Sequence, residues 1–281
     1  MKQFDLHRFG QALKCHFLVM RRTWIRLFAI YTLVMFMAEL FFTRITYSSY
    51  DYLAKEYGVE AAYNTYSHIV EQAVVFGAVF FCFAMLFGAS YLFSHMKTTP
   101  QRSAYLTWPV SNLEKYLIAF LHSVVLIAIG THVAFFLADA MRVLVDVIDG
   151  RVVVWGTPMV TEATNTQETP GIFLAWILGV MLYFHSLYIL GGSLFRRHQF
   201  LFTSIIIVIG FFLCVWGLNT VWLWFKLGDF NLMNWDNGIY HCHWILYVLV
   251  VLVYLLVAFH YWLSYKIFCR MQVINNKWLN V

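Results

Sequence analysis

The chain has 281 residues, of which 62% are hydrophobic and only 12% charged, with a formal net charge of +5. Globular domains carry about 45–50% apolar and about 25% charged residues. A soluble globular enzyme of this length is therefore excluded, and so is a disordered chain, which would be poor in apolar residues. The composition is that of an all-α, polytopic integral membrane protein.

The first predicted element is an amphipathic helix over residues 1–23. Leu6, Phe9, Leu13, Phe17, Met20 and Trp24 recur at helical spacing, and Arg8, Gln11, Lys14, Arg21 and Arg22 occupy the other face. A basic amphipathic helix beside a span is expected to lie in the inner interface of the bilayer. The plainer reading makes it an extension of the first span. Six runs then reach the roughly 20 apolar residues that cross a hydrocarbon core. They cover about 24–42, 73–93, 116–138, 172–195, 200–218 and 244–263, within a transmembrane domain of 24–281. None alternates in polarity, which argues against a barrel and for helices that satisfy their own backbone. The first run has more than 20 residues before it and reads as a signal anchor rather than a cleaved leader.

Between the second and third spans lies SHMKTTPQRSAYLTWPVS, residues 94–111. Pro100 and Pro109 bracket it, leaving room for a short helix or turn between Gln101 and Thr107. Ser111-Asn112-Leu113-Glu114 has the spacing of a capping box, which predicts that the third helix starts at this point. The four residues from Arg196 to Gln199 make the fourth and fifth helices antiparallel neighbours. Residues 43–72, 139–171 and 219–243 form longer connections. The second contains RVVVW at 151–155, a short strand or interfacial piece, and then a polar stretch at 161–169. The third is dense in aromatic residues and is expected near the membrane–water interface.

An even number of spans puts both ends on one side. With the N-terminus inside, only Arg44, Lys55, Arg142, Arg151 and Lys226 fall outside, against the other fourteen of 19 Lys and Arg. The acids run the other way: Asp5 and Glu114 lie inside, Glu39 lies within a span, and the rest lie outside. The positive-inside rule then orients the chain N-in and C-in. The net positive charge marks this sorting and not a nucleic-acid partner. The five cysteines are scattered, and a single external one, Cys242, makes no external disulfide.

The chain contains no GxxxxGK[ST], HExxH or GxSxG motif. His241-Cys242-His243 falls short of the three or four ligands of a zinc site and reads as interfacial. Glu39, His122, His132, His185 and His260 are polar groups within apolar runs, where they are costly. His132 and Asp139 are seven apart on the third helix and share a face, with Arg142 three residues further on. This patch reads either as a hydrogen-bond network between helices or as a substrate- or proton-linked site. Glu39, near the end of its run, is expected to reach the interface. Ala84 with Gly88, and Gly191-Gly192-Ser193, allow close helix packing.

Residues 93–120 carry a familiar arrangement. A span is followed by a basic loop, then Leu106, Pro109 and Ser111 in an L-x-x-P-x-S order, then a Glu114-Lys115 pair entering the next span. This resembles the membrane subunits of bacterial ABC transporters of the type-2 exporter class, whose six-span layout is similar too. The resemblance implies two paired membrane halves, each bound to a separate P-loop ATPase subunit that holds the ATP and Mg, with no cofactor in this chain. It implies that Thr99, Pro100, Gln101, Arg102, Pro109, Ser111, Asn112, Glu114 and Lys115 belong to the element that couples to the ATPase. Its setting would be the cytoplasmic membrane of a bacterium. The chain lacks a fused ATPase, and its cargo is open. A non-transporting scaffold or sensor subunit is the alternative, followed by a small intramembrane enzyme built on His and Asp.

Overall fold

The computed structural model describes residues 4–47, 50–93, 96, 98–157, 171–195, 198–225, 233–236 and 239–271. The polar stretch 161–169, the Arg196-Arg197 pair and residues 226–232 of the aromatic segment lie outside the described residues. The described chain runs α1 (Leu6–Tyr47), α2 (Tyr50–Glu56), α3 (Val59–Ser90), α4 (Thr99–Leu106) and α5 (Asn112–Phe120). A π-helical turn, Leu121–Val125, joins α5 to α6 (Leu126–Ile148). Then follow α7 (Gly171–Leu194), α8 (Gln199–Phe225), β1 (Met233–Asp236), β2 (Ile239–Cys242) and α9 (Trp244–Arg270).

Among the described residues, six stretches are long and apolar enough to cross a membrane: Leu6–Ile45, Val59–Ser90, Asn112–Ile148, Leu174–Leu194, Gln199–Gly217 and Trp244–Arg270. Each overlaps one of the six runs expected from the sequence, but the first begins at Leu6 rather than near residue 24, the second at Val59 rather than near 73, and the third ends at Ile148 rather than near 138. The chain is a multi-pass helical membrane protein.

The amphipathic stretch is not a separate helix. It continues without a break into the first span as one helix of 42 residues, because no Pro and only Gly10 interrupts the run. Asp5 caps its start, with one carboxylate oxygen accepting from the backbone of His7 (2.9 Å) and Arg8 (3.2 Å). The 151–155 run is no strand. It has no regular secondary structure, and Val154 is buried. The strands lie instead in the aromatic segment, where β1 and β2 pair antiparallel with Trp235 opposite Tyr240. The sequence signal for that hairpin is the Asn237-Gly238 dipeptide between the two strands, a pair favoured in two-residue hairpin connections, which a reading built on apolar runs passes over.

Two compact units divide the chain. One gathers Met1–Gly10, Leu86–Ser123 and Glu168–Val281; the other gathers Gln11–Met85 and Val124–Gln167. In the first, α7 packs against α8 and α9. Small residues set the approach. A Cβ on Gly192 would lie 2.5 Å from the carbonyl oxygen of Ser90, and one on Gly179 would lie 3.3 Å from Tyr254. Polar pairs stitch the same helices: His185 Nδ1 to the Tyr261 hydroxyl (2.9 Å), Ser186 Oγ to His260 Nδ1 (3.0 Å) and the Tyr188 hydroxyl to Ser204 (2.8 Å). These bonds give His185 and His260 an interhelical packing role. Phe93 stacks on Phe268 at 5.0 Å.

In the second unit, Gly77 sits where a Cβ would meet Phe135 at 2.9 Å and Met35 at 3.0 Å, so α3 meets α6 and α1 closely there. Phe76 contacts Phe42 (5.6 Å), and Tyr31 contacts Phe80 (5.7 Å). A buried cluster of Tyr50, Ala62, Tyr66, Val70 and Val154 packs beside the acidic residues described below.

Candidate functional site

Two places concentrate polar chemistry. The first, in the first unit, is the segment between the second and third spans. Here α4 is a capped helix of eight residues. Thr98 accepts from the Gln101 amide (3.4 Å), and the Gln101 side chain accepts from the Thr98 amide (3.3 Å). Pro100 stands in the first turn, where a missing N–H costs nothing. Two turns on, Ser111 and Glu114 repeat the device at the start of α5. The Ser111 amide donates to Glu114 Oε2 (2.7 Å), and the Glu114 amide donates to Ser111 Oγ (3.3 Å).

The inner side of α4 is tied to α5. Tyr105 is buried and its hydroxyl donates to the carbonyl of Lys115 (2.7 Å). Burial pushes the Tyr105 hydroxyl above its usual range, so it stays a donor. Lys115 is buried as well and returns the contact, its Nζ donating to the Leu106 carbonyl (2.6 Å) at the end of α4. Arg102 is also buried. Thr99, Pro100, Gln101, Ala104, Pro109 and Asn112 are exposed. The loop residues named from the sequence therefore divide into two sets. Thr99, Pro100, Gln101, Pro109 and Asn112 form an accessible face. Arg102, Glu114 and Lys115 turn inward, with Ser111 capping α5 between them.

Glu114 does more than cap. It is fully buried, and its carboxylate reaches back to the start of α1. Oε1 accepts from the Asp5 amide (2.8 Å) and from Arg8 Nη2 (2.6 Å), and Oε2 accepts from Arg8 Nε (3.1 Å). This forked guanidinium–carboxylate contact fixes both groups in one plane. The chain's N-terminal segment is thereby latched to the start of α5. Nothing in the sequence pairs Asp5 and Arg8 with a residue more than 100 positions away.

This latch makes a prediction. Glu114→Ala should free residues 5–8, and limited trypsin digestion should then cut at Arg8 faster than in the parent. Ser111→Ala should cost about 1 kcal/mol of helix-capping stability while leaving the Arg8 cut rate near that of the parent.

The second place lies in the second unit, where α6 meets α1, α3 and the 151–157 segment. Arg142, Asp139 and Asp146 are each 1% exposed, and Glu39 of α1 is 3% exposed. Arg142 Nη2 donates to Asp139 Oδ1 (2.6 Å) and to the Val154 carbonyl (2.6 Å), and its Nη1 donates to Asp146 Oδ2 (3.0 Å). The Tyr66 hydroxyl of α3 donates to the same Asp146 oxygen (3.0 Å). Asp139 Oδ2 accepts from the Thr157 amide (2.9 Å) and hydroxyl (2.7 Å). Glu39 Oε2 lies 3.5 Å from Arg142 Nε.

The structure thus joins Asp139 to Arg142 as the spacing suggested, and adds Glu39, Tyr66 and Asp146. Asp146 was readable, standing four residues beyond Arg142 on the same face. Glu39 is buried and turns onto the guanidinium. His132 stands apart from the cluster. It is exposed, its Nδ1 lies 2.8 Å from the Ala128 carbonyl of its own helix, and its ring meets Phe81 edge-on at 4.6 Å. The segment that covers Asp139, from Val154 to Thr157, closes over the cluster about two turns along α6 from His132.

Among the described residues no group of three or more His, Cys, Asp and Glu is arranged to hold a metal ion. The side chains of His241 and Cys242 lie outside the described residues. No known protein family, curated protein or solved structure matches the chain.

Proposed function

We propose that the chain is the membrane-spanning subunit of an ATP-driven ABC-type exporter. In this reading it pairs with a second membrane half and docks a separate P-loop ATPase, which holds the ATP and Mg. The chain then sits N-in and C-in in a bacterial cytoplasmic membrane, with α4 facing the cytoplasm.

The observation that carries the reading is the construction of α4. A plain connector needs no capping at both of its helix starts and no internal ties. Here a helix of eight residues keeps one face open, at Thr99, Pro100, Gln101 and Ala104, and binds its other face to α5 through Tyr105 and Lys115. Such an element transmits a push. Motion applied to its open face passes through the Tyr105–Lys115 and Lys115–Leu106 bonds into the third span. A flexible loop would absorb the same motion. The six spans and the resemblance of residues 93–120 to type-2 exporter subunits point the same way.

The mechanism follows from that geometry. ATP-driven closure of the partner subunits would move α4, and α4 would tilt the third span. The Glu114 latch would carry the start of α1 with it, because Arg8 and Asp5 hold the same carboxylate that caps α5.

Purification in mild detergent tests the reading. A P-loop ATPase should co-purify with the chain. Ala104→Arg, which alters only the open face, should lower its recovery by about tenfold, equivalent to about 1.4 kcal/mol. The thermal midpoint of the variant should match the parent. Recovery of no ATPase would favour the scaffold reading instead.

A further inference from the structure

The three carboxylates around Arg142 are not held alike. Asp139 accepts four hydrogen bonds: from Arg142 Nη2 (2.6 Å), the Gly156 amide (3.3 Å), the Thr157 amide (2.9 Å) and the Thr157 hydroxyl (2.7 Å). It is the satisfied anion that balances the guanidinium. Asp146 accepts two, both at Oδ2, and its Oδ1 accepts none among the described residues. Glu39 accepts none at either oxygen among the described residues. Its Oε2 lies 3.5 Å from Arg142 Nε, a contact that is not a hydrogen bond.

One cation therefore faces three acids. With all of them ionised, the cluster would carry a formal charge of −2 in a place where every member is at most 3% exposed. A buried carboxylate without donors is costly, and the cost falls only if the group gains a positive species or loses its charge. The described residues offer no metal-binding group. The charged and titratable groups of the cluster are Asp139, Arg142 and Asp146 from α6 and Tyr66 from α3. From α1 there is Thr43, whose hydroxyl donates to the Glu39 carbonyl (2.8 Å). The 151–157 segment adds only the Thr157 hydroxyl, since Arg151 turns to Asp149 (3.7 Å). None of these supplies a second cation.

We propose that Glu39 is a proton-binding site within the membrane-spanning bundle. Its carboxyl is held as the neutral acid beside Arg142, while Asp139 stays the ionised partner of the guanidinium. The ranking of donors, four for Asp139, two for Asp146 and none for Glu39, selects which acid takes the proton. The proposal does not depend on the exporter reading.

Infrared spectroscopy of the purified full-length protein in lipid nanodiscs at neutral pH tests it. The parent should show the carbonyl stretch of a protonated carboxylic acid, sensitive to exchange into D2O, and Glu39→Gln should remove that band. Glu39→Gln is the shape of the neutral acid, so its thermal midpoint should equal or exceed the parent's, whereas Asp139→Asn should melt well below. Absence of the band in the parent would overturn the proposal, as would a band that survives Glu39→Gln and is lost in Asp146→Asn. A Glu39→Gln protein that melts as low as Asp139→Asn would overturn it too. So would a parent stabilised by added sodium or potassium chloride in a way that Glu39→Gln abolishes, because the bound species would then be a metal ion.

Discussion

Replacing Arg142 by alanine is expected to be among the most damaging single changes in the chain, lowering stability by about 3–5 kcal/mol. The guanidinium makes three hydrogen bonds and a further 3.5 Å contact with Glu39, all among residues at most 5% exposed. Its removal leaves Asp139, Asp146 and Glu39 without their shared cation and leaves the Val154 carbonyl without its donor. Breaking one partner of a buried ionic group costs more than the group contributes when intact, because the remaining charge stays buried and unpaired. Lysine is not expected to rescue. It keeps the charge, but it has no planar fork to reach two carboxylates and a carbonyl together. Thermal unfolding in detergent checks both variants. A midpoint for Arg142→Ala within experimental error of the parent would show that the cluster does not hold α1, α3 and α6 together.

The second large effect is expected at Gly192. A Cβ there would stand 2.5 Å from the Ser90 carbonyl oxygen and 3.0 Å from its carbon. These are backbone atoms, which cannot rotate away as a side chain can. Gly192→Leu should therefore force α7 off the end of α3, at a cost beyond the about 1–3 kcal/mol of ordinary overpacking. Even Gly192→Ala should destabilise. Gly210 in α8 supplies the contrast, since a Cβ there meets nothing within 4 Å. Gly210→Ala should instead stabilise slightly, by up to about 1 kcal/mol, through helix propensity. Opposite signs for the two glycine-to-alanine changes, read as thermal midpoints, are the expected outcome.

Much of the frame was legible in the sequence, and the reasons are physical. Spans declare themselves because lipid tolerates only long apolar helices. Local hydrogen-bond devices also show, since they depend on spacing alone. Ser111 with Glu114 formed the capping box that its four-residue pattern predicted. Thr98 with Gln101 has the same pattern and forms the same box at the start of the short helix, where the two prolines alone had suggested a short helix or turn. The Asp139–Arg142 pair was readable for the same reason, lying within one turn of one helix.

What the sequence did not reveal depends on contacts between distant segments. Glu114 reads as a cap, and its second role needs Arg8, 106 residues away. Glu39 is a single acid in an apolar run. Whether it turns to the interface or to a guanidinium is decided by which helix packs beside it. The β-branched 151–155 run read as a short strand or an interfacial piece, and among the described residues no strand pairs with it. It serves instead as a cover whose Val154 carbonyl accepts from Arg142. The continuity of the N-terminal stretch with the first span is a related case. Amphipathic spacing identifies a helix, but it does not say where the helix ends.

The central claim is that the open face of α4 receives an ATPase. The most direct measurement is site-specific photo-crosslinking in intact membranes, with the crosslinker placed in turn at Ala104 on that face and at Phe136 on the exposed flank of α6. A P-loop ATPase crosslinked from position 104 and not from position 136 is the predicted result. Crosslinking to an ATPase from neither position, or equally from both, would contradict the account.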